Sequence, residues 1–300
     1  MRKTLTERSG ILNYMKQDKT IGTLLLIYTG VSFFIFTTFG KVGTLFMVPS
    51  ISTQAYLDQW PSFTIGNLII QQPSSSIIIL ILSILTIALG IHYFISKKSR
   101  FAYWLGINFI FWGIGAFLAG LSYQAFGYYL KCTGLTHCLF TDWVELLYMT
   151  VTVISINAIL MAYASLMKSY KLSLLLKKIA LVSVATFTIF QGIGMLIPVQ
   201  FMLSYEGMLL FLSPNLIIFI VLSIKHRKET LHKQMLILWI VFIFINLAYF
   251  VALFAGQGTL IYNATGFWFN ENDTLHVLLI FWMIAWWVMI PPILHKEKLI

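Results

Sequence analysis

Charge is scarce in this sequence: 10% of its 300 residues are Asp, Glu, Lys or Arg, against about 25% in an ordinary soluble domain. With 59% hydrophobic residues, such a chain cannot cover a water-facing surface, which excludes a soluble globular fold. Acids are scarcer still, ten against twenty Lys and Arg. There are seven prolines and two cysteines, too few for a Pro-rich linker or a disulfide-built scaffold. No polar stretch is long enough for a separate soluble domain. What remains is helix dissolved in lipid, in apolar runs of about 20 residues that satisfy their own backbone hydrogen bonds.

Eight such runs are present, approximately Ile21–Phe39, Ile77–Ile95, Phe101–Ala119, Val144–Leu166, Ile179–Leu203, Met208–Ile224, Met235–Phe254 and Thr274–Leu294. The first is too long for a signal peptide and lacks a small-residue cleavage site, so it is expected to stay as an anchor. Leu45–Val48 and Leu68–Ile70 are too short to span and predict a re-entrant or interfacial stretch in the first loop. Basic residues set the orientation. Eighteen of the twenty fall before run 1, between runs 2 and 3, 4 and 5, 6 and 7, or after run 8; only Lys41 and Lys131 fall in the other loops. Lysine and arginine are retained on the cytoplasmic side during insertion. The fold class predicted is therefore all-α and polytopic, eight transmembrane helices in one bundle with both termini cytoplasmic, in the cell (inner) membrane. Residues 1–20 form a basic cytoplasmic tail, 21–294 the membrane domain and 295–300 a C-terminal tail. The net charge of +10 is explained by this topology and by attraction to anionic lipid. Without a soluble domain to present it, nucleic acid is not an expected partner; membrane lipid is.

Cys132 and Cys138 share the loop between runs 3 and 4, on the oxidising side, and are expected to form a disulfide. The alternative, a metal held by His137 and the two thiolates, has three adjacent ligands and no fourth.

Polar residues inside a bilayer are costly and therefore informative. They crowd at the outer ends of three runs. Ser122, Tyr123 and Gln124 close run 3. Asp142 and Glu145, three apart and so on one helical face, open run 4. Glu271, Asn272, Asp273 and His276 open run 8. On a helix, Asn272 and Asp273 stack on the side of His276, whereas Glu271 reaches the same place only if the helix begins after it, with Asn270 or Asn272 as cap. Acids at a helix start also serve the dipole alone. His92, with no acidic neighbour in sequence, reads as structural. Asn108, Asn157, Gln191, Asn215 and Asn246 read as ties between helices, and Trp282, Trp286 and Trp287 as packing and anchoring residues. Pro198 and Pro214 are expected to kink their runs, and Pro291 and Pro292 to end run 8.

The stretches Gly120-Leu-Ser-Tyr-Gln-Ala-Phe-Gly127, Asp142-Trp-Val-Glu-Leu-Leu-Tyr148 and Phe269-Asn-Glu-Asn-Asp-Thr-Leu-His276 resemble segments of the ceramidase-like superfamily of seven-span membrane hydrolases, which includes alkaline ceramidases and adiponectin-receptor-like proteins. The resemblance implies a zinc site at the outer end of the bundle, with Gln124, Glu271 and His276 at the metal-ligand positions and Ser122, Asp142, Glu145 and Asp273 as catalytic candidates. Gln124 (or Phe126, in another register) and Glu271 stand where the family has histidines, and eight runs exceed its seven. The implied chemistry is lipid amide hydrolysis, in which metal-bound water attacks the carbonyl and Ser122 stabilises the oxyanion. With this ligand set the leading expectation is instead a membrane protein that binds a lipid or a partner at the same polar site without intact zinc chemistry. A metal-dependent lipid amide hydrolase is the alternative. A transporter is a further one, disfavoured by the lack of charge at mid-membrane.

Overall fold

The computed structural model describes residues 2–40, 51–95, 99–197 and 199–296, with side chains of the first segment described from 18 to 38. The expected stretch Leu45–Val48 and Pro198 lie outside the described residues. The helices are α1 Arg2–Gly40, α2 Thr53–Leu57, α3 Pro73–Ile95, α4 Arg100–Ala119, α5 Gly127–Lys131, α6 Trp143–Leu166, α7 Tyr170–Leu196, α8 Tyr205–Lys225, α9 Thr230–Phe254, α10 Gln257–Thr265 and α11 Glu271–Lys296. A π-helical turn, Gly120–Ala125, extends α4, and a 3-10 turn, Gln200–Leu203, precedes α8. Eight of these helices are long and apolar enough to cross a membrane. Their surfaces agree with that. Leu26 is 62% exposed, Val288 65% and Phe254 84%, which water would penalise and lipid does not.

Several predicted boundaries move. Helix α1 runs through the predicted tail without a break, so residues 2–20 continue the first span as helix; at 39 residues it is about 58 Å long. Helix α3 starts at Pro73, a position where the missing N–H costs nothing. Helix α7 starts at Tyr170, capped by Ser169, nine residues before the predicted Ile179, because its lysines are helical rather than loop residues. Pro291 and Pro292 do not end α11, which continues to Lys296, and α8 runs through Pro214. Leu68–Ile70 is part of an antiparallel hairpin, β1 Ser62–Ile65 with β2 Leu68–Gln71, Phe63 facing Ile70. Gly66, at φ +60°, makes its turn.

Helix α6 is the centre of the packing, against α4, α7, α1 and α8, while α11 packs on α9 and α3. Helices α3 and α4 run antiparallel along a glycine seam. A Cβ added to Gly90 would lie 2.6 Å from the Ile110 backbone nitrogen, and one added to Gly106 would lie 2.8 Å from that of Phe94. The backbones touch because glycine removes the spacer between them. Trp239, Trp282 and Trp286 are buried together and pack against the half-buried Phe242, while Trp287 is half-exposed and stacks on His92. Polar ties cross this core as the sequence suggests. Ser155 donates to Asn108 (2.8 Å), Asn215 to Asn157 (3.1 Å), Asn157 to Ser183 (3.2 Å) and Thr150 to Gln191 (2.9 Å). Asn246 departs from the pattern: its amide donates to Phe242 O, 2.7 Å away in its own helix.

Buried charges mark the two ends. At one end Arg100, the first residue of α4, grips Asp18 of α1 through two nitrogens, and Lys177 Nζ of α7 stands 3.7 Å from the same carboxylate, so the three helices are tied together there. Lys168, after α6, reaches Glu229 before α9 at 3.3 Å. This is the basic end. At the opposite, disulfide end, Ser74 donates to Trp268 O (2.7 Å) and Gln72 to Tyr123 O (3.4 Å), joining the starts of α3 and α11 to the end of α4.

Candidate functional site

The three polar segments do converge at the disulfide end, where they form two groups of residues and a cavity. The first group surrounds the start of α6. Asp142 is its N-cap: Oδ1 accepts from the N–H of Val144 (2.7 Å) and of Glu145 (3.1 Å), while Oδ2 accepts from Ser122. Ser122 Oγ is also 3.2 Å from Glu145 Oε1, and Thr141 Oγ1 donates to Glu145 Oε2 at 2.7 Å. Lys131, at the end of α5, pairs directly with Glu145 and sits 5.2 Å from the centre of the Tyr123 ring. Burial alone would lower its pKa; the carboxylates of Glu145 and Asp142 together outweigh that and raise it to about 12. The lysine is therefore charged at any working pH, a buried cation held by two buried acids.

Cys132 and Cys138 are joined by a disulfide, so their thiolates are not available to a metal, and exposed His137 contacts Thr136 instead. The bridge closes the loop that follows Lys131, and Leu139 N–H bonds back to Lys131 O at 2.9 Å. Tyr56 of α2 packs on the bridge. Its hydroxyl is pushed up to about 12, mainly by burial, with Lys131 opposing and Glu145 and Asp142 reinforcing the rise.

The second group starts α11. The helix begins at Glu271 itself, with Asn270 before it. Asn270 Oδ1 accepts from Asp273 N–H (3.0 Å) and Asp273 Oδ2 from Asn270 N–H (2.9 Å), a reciprocal cap. Ser75 of α3 donates to the same Asp273 oxygen at 2.8 Å. Asp273 is fully buried and bonded to Ser75 of α3, and it is not among the residues that line the cavity beside Asn272 and His276. Gln72, at φ +45°, accepts from Asn270 Nδ2 (3.2 Å) and Trp268 Nε1 (3.3 Å).

Between these groups opens a cavity of about 620 Å³. Its depth is apolar, walled by residues such as Leu82, Leu212, Leu216, Phe242 and Leu279; its polar rim holds Tyr123, Gln124, Glu206, Asn272 and His276. A vestibule of about 680 Å³ shares Tyr123, Gln124, Glu206 and Asn272 with it and adds Lys131, Glu145 and Glu271. Gln124 and His276 thus line one cavity, while Glu271 lines only the vestibule. Gln124 Oε1 and His276 Nδ1 are both buried without a protein hydrogen-bond partner. Among the described residues, no three His, Cys, Asp or Glu side chains at this end bring ligand atoms within 4.8 Å of one another.

Sequence reasoning missed Lys131, Glu206, Tyr205, Gln72 and Ser75 as parts of this region. Lys131 carried a usable signal, being one of two basic residues on its side. No protein-family model, no curated protein and no solved structure matches this chain.

Proposed function

We propose that the protein is an integral membrane protein that binds one amphiphilic lipid, its chain in the apolar cavity and its headgroup at the polar rim. The observation that carries this reading is the pairing of a long apolar cavity with two unpartnered buried polar atoms, Gln124 Oε1 and His276 Nδ1, at one end of it. Its volume falls within the roughly 300–1,000 Å³ of small-molecule sites, and a mostly apolar wall with a few convergent polar groups is their usual makeup. The orientation that goes with it puts both termini in the cytoplasm and the rim at the outer leaflet, because the basic residues collect at the opposite end.

The ceramidase-like resemblance would place a zinc ion here. The donor set does not favour one. His276 is the sole imidazole at the rim, Glu271 stands in the vestibule, and an amide oxygen from Gln124 is a poor third ligand. Asp142 and Glu145 are committed to a cap, hydroxyls and Lys131, and Asp273 is tied through Oδ2 to Asn270 and Ser75, its buried Oδ1 alone lacking a protein partner. We therefore derive no hydrolytic step.

The test is native mass spectrometry and lipid extraction of protein purified in mild detergent, wild type beside Ser213→Trp, which fills the cavity from a lining position. The expected result is about one bound lipid per wild-type chain and a clear loss in the variant. Equal lipid content in the two proteins would refute the reading.

A further inference from the structure

At the basic end, the turn between α8 and α9 reads His226-Arg-Lys-Glu229-Thr-Leu-His232. We infer that His226, Glu229 and His232 form a binding site for a divalent transition metal of the zinc type, at the opposite end of the molecule from the lipid cavity and independent of it. One imidazole nitrogen of each histidine and one carboxylate oxygen of Glu229 all lie within 4.8 Å of one another. His232 Nε2 is 3.8 Å from Glu229 Oε2. Two ligands on a tetrahedral zinc stand about 3.4 Å apart, so the three atoms need to close by only a small amount. The rings of His226 and His232 are 5.1 Å apart, tilted by 32°.

The local structure leaves these side chains free for the task. His226 follows the last turn of α8, with its N–H bonded to Leu222 O at 3.0 Å, and Glu229 N–H closes the turn on His226 O at 2.9 Å. Glu229 is the N-cap of α9, yet its carboxylate accepts no backbone hydrogen bond there. Among the described residues its lysine partner is Lys168, at 3.3 Å from Oε1, with 90% of the lysine side chain exposed. Such a surface pair is worth little and leaves Oε2 facing His232. His232 is 1% exposed, and its Nδ1 is buried without a protein partner, as is His226 Nε2. Two imidazoles side by side, one fully and one partly buried, each with a buried nitrogen that has no protein partner and next to a carboxylate not used as a cap, are poorly accounted for as packing alone.

The surroundings select the kind of ion. Lys225, Arg227 and Lys228 flank the site and are exposed, so their repulsion is screened by salt. A single carboxylate in a basic turn cannot hold calcium or magnesium, which need several oxygen ligands. Two imidazoles and a carboxylate suit zinc, with a fourth position left to water. Bound there, the ion would clamp the end of α8 to the first turn of α9.

The experiment uses untagged full-length protein carrying His276→Ala, which removes any metal held at the other end. Co²⁺ and Zn²⁺ are titrated in detergent, following the visible absorption of cobalt and its displacement by zinc. One equivalent of Co²⁺ with a four- or five-coordinate spectrum is expected, displaced by one Zn²⁺. Affinity should fall by about tenfold or more in Glu229→Gln and in His226→Gln, both at partly exposed positions where folding is not at risk. The absence of a cobalt band, or affinities unchanged in both variants, would overturn the site.

Discussion

Replacing Lys131 by Met tests the buried charge cluster directly. The substitution keeps most of the stem that fills the space beside Tyr123 and removes only the ammonium. Both partners of the pair are nearly inaccessible, with 8% of the Lys131 side chain and 3% of Glu145 exposed. Breaking a buried pair from one side costs about 3–5 kcal/mol, because the remaining charge is uncompensated. Glu145 keeps its contacts with Thr141 and Ser122, which argues for the lower value, about 3 kcal/mol, or a factor of about 100 in the folded-to-unfolded ratio. The assay is reversible SDS unfolding in mixed micelles, read by tryptophan fluorescence. Glu145→Gln in the same chain removes the stranded charge and should recover about 2 kcal/mol. A single variant costing under about 1 kcal/mol, or a double variant no more stable than the single, would refute the reasoning. The pH dependence has a definite sign. Lys131 is raised above the ordinary lysine value of 10.5 to about 12. Its contribution is therefore complete below about 10.5 and drains away only as pH climbs through about 12.

The glycine seam predicts that Gly106→Leu costs at least about 1–3 kcal/mol by overpacking, measured by the same unfolding assay. Gly192→Ala in α7, with nothing within 4 Å of the new Cβ, should be neutral or slightly stabilising; equal losses at both sites would remove the seam from the account. Reducing the Cys132–Cys138 bridge, which closes a short loop, should cost about 2 kcal/mol in the loop-entropy picture. In intact cells a membrane-impermeant phosphine should reach that disulfide, and protection from it would reverse the proposed orientation.

Much of this molecule is written locally. Apolar runs and the spacing of lysines and arginines mark the eight long helices, because burying a backbone in lipid leaves the chain few other options. The Cys132–Cys138 bridge follows from neighbours in the chain, whereas Asp142, read from the sequence as a catalytic candidate, is the cap of α6. What was not legible depends on residues far apart. Nothing near Lys131 announces Glu145 as its partner, and Lys177 looks like a loop residue until Asp18 and Arg100 are brought beside it. Asp273 lies three residues from His276, but Ser75, almost two hundred residues earlier in the chain, turns it toward α3. The prolines misled for a related reason: 291 and 292 sit within α11 near its end, where tertiary packing holds a helix that local rules would stop.

The lopsided burial of α1 carries one consequence. Only 17% of its apolar window is covered by the rest of the chain, against 89% for α6, and it is moored by Asp18 at the basic end and by a hydrogen bond from Tyr28 to Thr188 midway. Under a pulling force from the N-terminus, those moorings share the resistance with the packing of α1 on α6. Once the Asp18 clasp opens, the first helix is held by its packing on α6 and α4 and the Tyr28 bond, and its departure would leave whole the wall of the cavity, to which it contributes no residue.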